Sequence, residues 1–345
     1  MTEREEGGVE ELRSILVGEE LTADESPHTS FREKRLRGLD AAEDADVVIF
    51  GVPFDAGTYK RFGVQEGPMG IRRALEGFRT YSIELGLDFE DVLTVADVGN
   101  IGVDHWNDYS ETFARVALVM RHLLERGKVP IMLGGDHSIT YPSVRAFAEQ
   151  RGRPVGLIWV DNHYDTWEPY HGDPNFCGCP LRHILTELPD LVRPENVVHL
   201  GSHGFGNSAA STRNAHELGF HIFTISEIEE IGTAAAMRRA VELASDGTDG
   251  FYTTIDVDSA DVVYAPATQS PRPGGFTSRE LMTLVREASL GGAAALDVVE
   301  VAPAIDPLNT TCLLAAECVL EAIGGVAGRM SGAAAGSGAP GASGD

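Results

Sequence analysis

The sequence has few positively charged residues for a chain of 345 residues. It contains 27 Lys and Arg against 53 Asp and Glu, which gives a formal net charge of -26 at pH 7. A surface of this charge repels the backbone of nucleic acids and the headgroups of anionic membranes, so we expect neither as a partner. The same charge favours a small cationic substrate, although salt screens the attraction beyond about 8 Å.

Cysteine and long apolar runs are also scarce. Two of the four cysteines, Cys177 and Cys179 in "FCGCP", are spaced too closely for a CxxC redox or zinc motif, so we expect reduced thiols. No apolar run approaches the length that crosses a bilayer, and the acidic N-terminus "MTEREEGGVEELR" is unlike a signal peptide. We therefore expect a cytoplasmic protein.

Strand-like apolar runs alternate with helical patterns, such as "ETFARVALVMRHLLERG" at 111–127. Strands that are apolar on both faces and alternate with helices are typical of a parallel sheet covered on both sides. We therefore predict an α/β fold, a three-layer α/β/α domain with a mainly parallel sheet of about eight strands. The eight runs are "DVVIFGVP", "VLTVADVG", "VPIMLGGD", "VGLIWVDN", "VVHLGSHG", "FHIFTI", "FYTTIDVD" and "AALDVVEV".

The composition divides the chain into one domain and two ends. Residues 1–44 are charged and irregular, which predicts an N-terminal arm. Residues 45–328 contain no linker and no repeat of fixed period, which favours a single domain. Residues 329–345 end in "GAAAGSGAPGASGD", a composition typical of a disordered tail.

Ionisable residues follow four of the predicted strands. In a parallel sheet the carboxyl ends of the strands meet at one edge, where ligands bind, and residues two apart on a strand share a face. Buried charges at this edge need compensation, because an unpaired buried charge is costly. The residues are His137 after the third run, Asp161, His163 and Asp165 after the fourth, Asp256 and Asp258 at the seventh, and Glu300 at the eighth.

Two divalent metal ions would compensate this cluster. Four adjacent carboxylates would otherwise repel one another and take up protons. Mixed oxygen and nitrogen ligands suit Mn²⁺, with Ni²⁺ the first alternative and Fe²⁺ or Zn²⁺ possible, and two such ions together activate water near neutral pH. Singly the motifs are weak, since "GGDHS" also fits a turn before a helix, and "DVDSAD" resembles a calcium loop without its Gly and Glu.

Seven motifs, taken together, resemble those of the ureohydrolases, the arginase and agmatinase family. The resemblance covers about residues 45–328 and implies hydrolysis of a guanidino or amidine C–N bond, usually with release of urea and an amine. It also implies a homo-oligomer, a trimer or a hexamer. The motifs are "GVPFDAGT" at 51–58, "EGPMGIRRAL" at 66–75, "LGGDHSIT" at 133–140, "DNHYD" at 161–165, "IDVDSAD" at 255–261, "SPRPGG" at 270–275 and "DVVEVAP" at 297–303.

The resemblance also implies a role for each residue of the cluster. Glu300 matches the carboxylate that pairs with the guanidinium group of the substrate, a geometry that suits two parallel hydrogen bonds. Every metal-ligand position is intact, which argues against the alternative of a regulatory subunit without metal. The ligands of one ion are His137, Asp161, Asp165 and Asp256, and those of the other are Asp161, His163, Asp256 and Asp258.

Three positions depart from the family pattern. Asn162 replaces a usual Ala between two ligands and is a candidate substrate contact. We choose His171 as the proton shuttle because imidazole titrates near neutral pH, although Cys177 is closer to the expected spacing. Arg272 replaces a residue that is commonly apolar or acidic and is a candidate substrate contact.

The substrate remains open among three kinds of guanidino compound. The asparagine and serine set of arginases is absent from "TWEPYHGDPNFCGCP", so an agmatine-like substrate is favoured over arginine. A guanidino acid is the alternative, with Arg272 or Arg182 receiving its carboxylate. Free guanidine or another small guanidine is the third option, favoured by the short loop with the aromatic residues Tyr164, Trp167, Tyr170 and Phe176.

Overall fold

Eight parallel strands form the centre of the protein in a computed structural model that describes residues 11–17, 31, 35–103 and 109–332. Each of the eight apolar runs contains or overlaps one of them, so the predicted α/β fold is confirmed. The order across the sheet is β2-β1-β3-β8-β7-β4-β5-β6. The strands are β1 (Val47–Val52), β2 (Val95–Ile101), β3 (Val129–Gly134), β4 (Val155–Val160), β5 (Val192–Leu200), β6 (His221–Phe223), β7 (Phe251–Asp256) and β8 (Ala295–Val299).

Short strands from the predicted arm extend the sheet beside β2. Leu16–Val17 pairs antiparallel with β2, and Leu36–Arg37 pairs parallel with it. A separate antiparallel pair, Tyr81–Ser82 with Leu87–Asp88, lies outside the main sheet. Most of the predicted tail, residues 333–345, is outside the described residues.

Helices cover both faces of the sheet because successive strand side chains point to opposite sides. In β1, Val47 and Ile49 belong to the hydrophobic cluster that includes residues of α1, α7, α8 and α9, whereas Val48 and Phe50 belong to the cluster that includes residues of α2, α3, α4 and α5. Each fully buried side chain of this size stabilises the fold by about 1.5–3 kcal/mol. The helices are α1 (Gly67–Leu75), α2 (Tyr109–Glu125), α3 (Thr140–Arg151), α4 (Pro180–Glu187), α5 (Ala209–Leu218), α6 (Ile225–Ile231), α7 (Thr233–Ser245), α8 (Ser278–Leu290) and α9 (Thr310–Met330).

Helix α9 is long and apolar enough to cross a membrane by length and composition, with a mean hydropathy of 1.5, contrary to the expectation from sequence. However, 89% of its most apolar window is buried inside the protein, as in the core helix of a soluble protein. Its glycines permit close packing on α8, since a Cβ at Gly325 would lie 2.5 Å from the Cβ of Ser289. The hydropathy of α9 therefore reflects burial against α8 and the sheet.

The sheet order brings the ionisable strand ends together. Strands β3, β8, β7 and β4 are adjacent at its centre, and each is followed or ended by at least one of the predicted site residues. Asp256 pairs in register with Val299, so it lies beside the strand end that leads to Glu300. Likewise, Ile255 pairs with Val160, the residue before Asp161.

Candidate dinuclear metal site

The side chain of His137 forms one half of the site. It follows β3 in a short 3-10 turn and is 1% exposed. Its Nδ1 atom lies 3.2 Å from Asp161 Oδ2, 3.1 Å from Asp165 Oδ2 and 3.2 Å from Asp256 Oδ2. Three carboxylates from two strand ends therefore surround one imidazole nitrogen, which is the arrangement predicted for one metal ion.

The side chain of His163 forms the other half. Its Nδ1 atom lies 3.1 Å from Asp258 Oδ2 and 3.5 Å from Asp161 Oδ1. Asp161 thus presents one oxygen to each imidazole, the geometry of a bridging ligand. The ligand atoms of His137, Asp161 and Asp256 lie within 4.8 Å of one another, as do those of Asp161, His163 and Asp258.

Local hydrogen bonds hold the β4 ligands in place. The indole Nε1 of Trp159 donates to Asp161 Oδ2 at 3.1 Å, and the main-chain N–H of His163 donates to Asp161 Oδ1 at 2.6 Å. Asp165 has a φ of 50° and Glu300 a φ of 69°, in the left-handed region that is uncommon for residues other than glycine. Such strained positions cluster at functional sites, where the surrounding structure maintains them.

The tautomer of His137 provides a test of whether a cation fits. Its Nε2 atom lies 2.9 Å from Thr254 Oγ1, and the Thr254 hydroxyl donates to Asp297. Thr254 must then accept from Nε2–H, so Nδ1 is the nitrogen that faces the carboxylate oxygens. Burial disfavours a proton on this ring, but the carboxylates of Asp161, Asp165 and Asp256 outweigh it and raise the pKa of His137 well above its ordinary value. Nδ1 has no hydrogen-bond donor among the described residues. A nitrogen among three carboxylates needs a proton or a metal cation, and a divalent ion that displaced the proton would be held by the imidazole and the carboxylates together, so the residues fit a metal ion.

The electrostatics of the carboxylates lead to the same conclusion. Burial and the carboxylates of Asp258 and Asp161 raise the pKa of Asp256 well above its ordinary value. Burial and Asp161 raise the pKa of Asp165 to about 7. Asp258 Oδ1 is also buried without a hydrogen-bond partner in the described part of the chain. Divalent ions would replace the retained protons on binding, as they do at other carboxylate sites.

A small cavity of about 40 Å³ lies over these ligands. Its floor is formed by the imidazoles and carboxylates of the metal site. No Lys or Arg lines it among the residues that the structure describes. Its walls include Tyr59, Trp167, Cys177, Gln269, Ser270 and Glu300.

Glu300 is the one carboxylate of the cavity that is not assigned as a ligand. It is 3% exposed, and its Oε1 accepts the main-chain N–H of His137 at 3.0 Å. Burial, followed by the nearby charge of Asp136, raises its pKa to about 8. A bound cation would favour the ionised form of Glu300, because an opposite charge lowers the pKa of a carboxyl. The predicted contact with a guanidinium group is therefore physically consistent.

The structure does not bring His171 to the cavity. The chain turns back between Tyr170 and Asp173, whose main chains exchange two hydrogen bonds of 3.0 and 2.9 Å. This turn leaves His171 exposed at its tip, while the returning chain buries Cys177. Burial and the charge of Glu300 raise the pKa of the Cys177 thiol well above its ordinary value, so it is a neutral thiol near pH 7. His171 therefore lacks the contacts of a proton shuttle here, and Cys177 lacks the charge.

Asn162 and Arg272 also lie outside the cavity lining. The side chain of Asn162 is fully buried and accepts the main-chain N–H of His203 at 3.3 Å. Arg272 donates to the main-chain oxygen of Pro271 at 3.4 Å. Their predicted role in substrate binding has no supporting contact.

Sequence reasoning missed Tyr59 and Gln269 as parts of the cavity. Both lie beside motifs that it did use, since Tyr59 follows "GVPFDAGT" and Gln269 precedes "SPRPGG". The signal was therefore proximity to a motif. Their contact with each other spans 210 positions of the sequence, which no local pattern reveals.

The sequence model of the arginase family matches residues 45–324. The chain belongs to this family. A mitochondrial agmatinase from Gallus gallus is 33% identical over 287 residues, 83% of this chain and 83% of that protein. The structure of proclavaminate amidino hydrolase from Streptomyces clavuligerus is 30% identical with a TM-score of 0.74, covering 83% of this chain and 92% of that chain. Trypanosoma cruzi formiminoglutamase with Mn²⁺ is 26% identical with a TM-score of 0.77, covering 84% and 95%.

Membership of the arginase family confirms several predictions. The protein is a hydrolase of C–N bonds in linear amidines, as the motifs indicated. The family uses a dinuclear metal site, which agrees with the two ligand groups described above. The relatives carry different substrate names at similar identity, so their names do not identify the substrate of this chain.

Proposed function

We propose that this arginase-family enzyme hydrolyses a compact cationic guanidine, either free guanidinium or one with a short substituent. The observation that supports this is the size of the cavity beside Glu300, about 40 Å³. One water-sized group needs about 10–15 Å³ by this measure, so the cavity has room for about three. A guanidinium group is of that size, whereas an extended alkyl tail would have to leave the cavity through its open side.

Glu300 is the residue that holds the substrate in this proposal. Its carboxylate accepts two parallel N–H bonds from the planar cation, a charge-assisted pair that fixes orientation as well as affinity. Tyr59 and Trp167 add aromatic surface, which attracts a flat cation. The burial of Glu300 lowers the local dielectric constant and so strengthens this pair.

Two Mn²⁺ ions per chain are the proposed cofactors, with Ni²⁺ the alternative. His137 and Asp165 would belong to one ion, His163 and Asp258 to the other, and Asp161 with Asp256 to both. Divalent ions in these positions supply Lewis-acid activation of water and neutralise the carboxylates. The nitrogen and oxygen donors suit Mn²⁺, and the similar formiminoglutamase contains it.

A panel of substrates tests the proposed function. Urea release from guanidine, methylguanidine, agmatine and 3-guanidinopropionate would be measured with metal-loaded enzyme. We expect the highest kcat/KM for guanidine or methylguanidine, with agmatine at least about tenfold lower. If agmatine is the best substrate, the compact-substrate proposal is wrong although the reaction class stands. If no guanidino compound releases urea, the guanidine proposal is refuted.

A short guanidino acid is a second candidate, because Lys60 lies next to the cavity wall. Its Nζ donates to Ser270 Oγ at 3.1 Å and lies 4.8 Å from the ring centroid of Tyr59. A carboxylate tail would pair with this ammonium, whereas the amine of agmatine would meet a like charge. This contact disfavours agmatine, the substrate that the sequence favoured.

The assembly and location of the enzyme stay predictions. We propose a homo-oligomer, a trimer or a hexamer, in the cytoplasm. Light scattering after size-exclusion chromatography would measure the mass of the assembly, and a monomer would contradict the proposal.

A further inference from the structure

Gln269 lies between Glu300, the residue that holds the substrate in our proposal, and the outer part of the cavity. It is 4% exposed, and its Oε1 accepts the main-chain N–H of Tyr59 at 3.2 Å. Because a main-chain N–H can only donate, this bond fixes the amide oxygen towards Tyr59 and the NH₂ group towards Glu300. The Nε2 atom lies 3.4 and 3.3 Å from the two oxygens of Glu300 and 3.4 Å from Cys177 Sγ. The side chain is therefore held by contacts with Tyr59, Cys177 and Glu300, and it forms the part of the cavity wall beside Glu300.

The residue that follows Gln269 brings a positive charge to the cavity wall. Ser270 lines the same cavity, and its hydroxyl oxygen accepts a hydrogen bond of 3.1 Å from the ammonium of the exposed Lys60. A positive charge thus lies at the outer end of a wall whose inner end is the Gln269 carboxamide. A substrate tail that left Glu300 in this direction would have to pass through the volume that the Gln269 side chain fills.

We propose that Gln269 is a specificity-determining residue that restricts the enzyme to compact guanidines, and that its removal admits guanidino acids whose carboxylate reaches Lys60. This inference rests on the proposed function, since it assumes that a guanidinium group binds Glu300. The donors of Gln269 also compete with those of a substrate for the two Glu300 oxygens. Truncation to alanine therefore opens space and frees acceptor sites at the same time.

The test compares metal-loaded wild type with Gln269→Ala, Lys60→Gln and the double variant. For each, kcat/KM is measured for guanidine, 3-guanidinopropionate and agmatine, and calorimetry measures the Kd of 3-guanidinopropionate. In Gln269→Ala we expect the ratio of kcat/KM for the acid over guanidine to rise at least tenfold, with a smaller rise for agmatine. The double variant should lose the gain for the acid, because its carboxylate has no ammonium to pair with. Gln150→Ala on α3 is the matched control and should keep the wild-type ratios, since Gln150 does not line the cavity.

Two results would overturn the inference. One is a ratio within about twofold of wild type in a Gln269→Ala protein with native circular dichroism and metal content. The other is an equal gain for the acid and agmatine that persists in the double variant. If the alanine variant does not fold, Gln269→Asn shortens the side chain by one methylene and should give a smaller gain of the same sign. Absence of urea release from wild type with every compound would refute the proposed function instead, and the Kd of the acid for Gln269→Ala would still decide the role of Gln269.

Discussion

The imidazole of His137 donates from Nε2 to the hydroxyl of Thr254 at 2.9 Å, and this contact selects the nitrogen that faces the metal site. Thr254 is in register with Asp297 on β8 and with Trp159 on β4, so the three side chains form a row across the sheet. The His137 ring stacks on Trp159 with centroids 4.3 Å apart. The ring is therefore fixed in orientation by stacking, and the hydrogen bond to Thr254 keeps the proton on Nε2 and directs Nδ1 towards the metal site.

Thr254→Val tests this relationship because it removes the hydroxyl and keeps the shape. The variant leaves the Nε2–H of His137 without an acceptor. The proton is then no longer directed to Nε2, so Nδ1 is less available to the metal. Loss of such a partner of a metal ligand typically lowers metal affinity about 10- to 100-fold. Competition titration of Mn²⁺ with a chelator would measure the change.

Thr253→Val is the matched control for that variant. Thr253 is equally buried on the same strand but points to the opposite face, and its hydroxyl has no hydrogen-bond partner among the described residues. We expect its Mn²⁺ affinity to equal that of the wild type within error. A similar loss in both variants would show that the effect arises from packing and not from the His137 tautomer.

Removal of the Asp258 carboxylate should weaken the binding of one metal ion and leave the other in place. Asp258 contacts His163 at 3.1 Å, whereas His137 is surrounded by other carboxylates. Asp258→Ala should therefore reduce the metal content from two ions per chain towards one, measured by elemental analysis after loading and desalting. Two ions in this variant would contradict the assignment of Asp258 to the second ion.

Glu300→Gln should impair catalysis without removing metal. The variant keeps the shape of the side chain and some hydrogen bonding but loses the charge that pairs with guanidinium. The loss of such a charge-assisted contact costs about 2–4 kcal/mol, which corresponds to roughly 30- to 1000-fold in kcat/KM. The measurement is kcat/KM for the best substrate of the panel, together with metal content. A variant close to wild type would show that the substrate does not bind Glu300.

The parts of the structure that sequence reasoning predicted are those set by neighbours along the chain. The apolar runs identify the strands, and residues two apart at a strand end, such as Asp161 and His163, share a face. A parallel sheet then brings different strand ends to one edge. The ligand cluster therefore follows from local patterns and one topological rule.

The parts that were missed depend on contacts between distant loops. Gln269 enters the cavity through its bond to Tyr59, and no spacing in either loop indicates that pairing. His171 has the chemistry of a proton shuttle, yet one turn of the chain places it in solvent. Helix α9 shows the same limit for hydropathy, which cannot distinguish burial in protein from burial in lipid.

The exposure of His171 leads to a prediction that distinguishes the proton-shuttle role expected from the sequence from the exposed position seen in the structure. Because its side chain lies at the tip of a turn and outside the cavity, His171→Ala should retain kcat/KM within about twofold of wild type at each pH. A proton shuttle would instead contribute about 100-fold or more and alter the pH profile. A loss of that size would show that the loop closes over the substrate during turnover.

Asp97 joins the predicted arm to the domain through a buried ion network. Its carboxylate accepts from Arg72 Nε and Nη2, both at 2.9 Å, and lies 3.1 Å from Arg35 Nη1. Burial alone would raise the pKa of Asp97, but the guanidinium groups of Arg72 and Arg35 outweigh it and hold the pKa below its ordinary value of 3.8. The ionised form is therefore the one that stabilises the fold.

Asp97→Asn should lower the free energy of unfolding by about 3–5 kcal/mol near neutral pH, because it leaves buried guanidinium groups without their anion. Since the folded pKa is lowered, this contribution is complete above the ordinary value of 3.8 and is lost as the pH falls through the folded pKa. Denaturation curves should thus show a constant difference between wild type and variant from pH 8 to about pH 5, and a shrinking one below about pH 4. Asp40→Asn, which breaks the exposed pair with Arg13, is the control and should unfold as the wild type does. A difference for Asp97→Asn that stays constant into strong acid would mean that the loss comes from packing and not from charge.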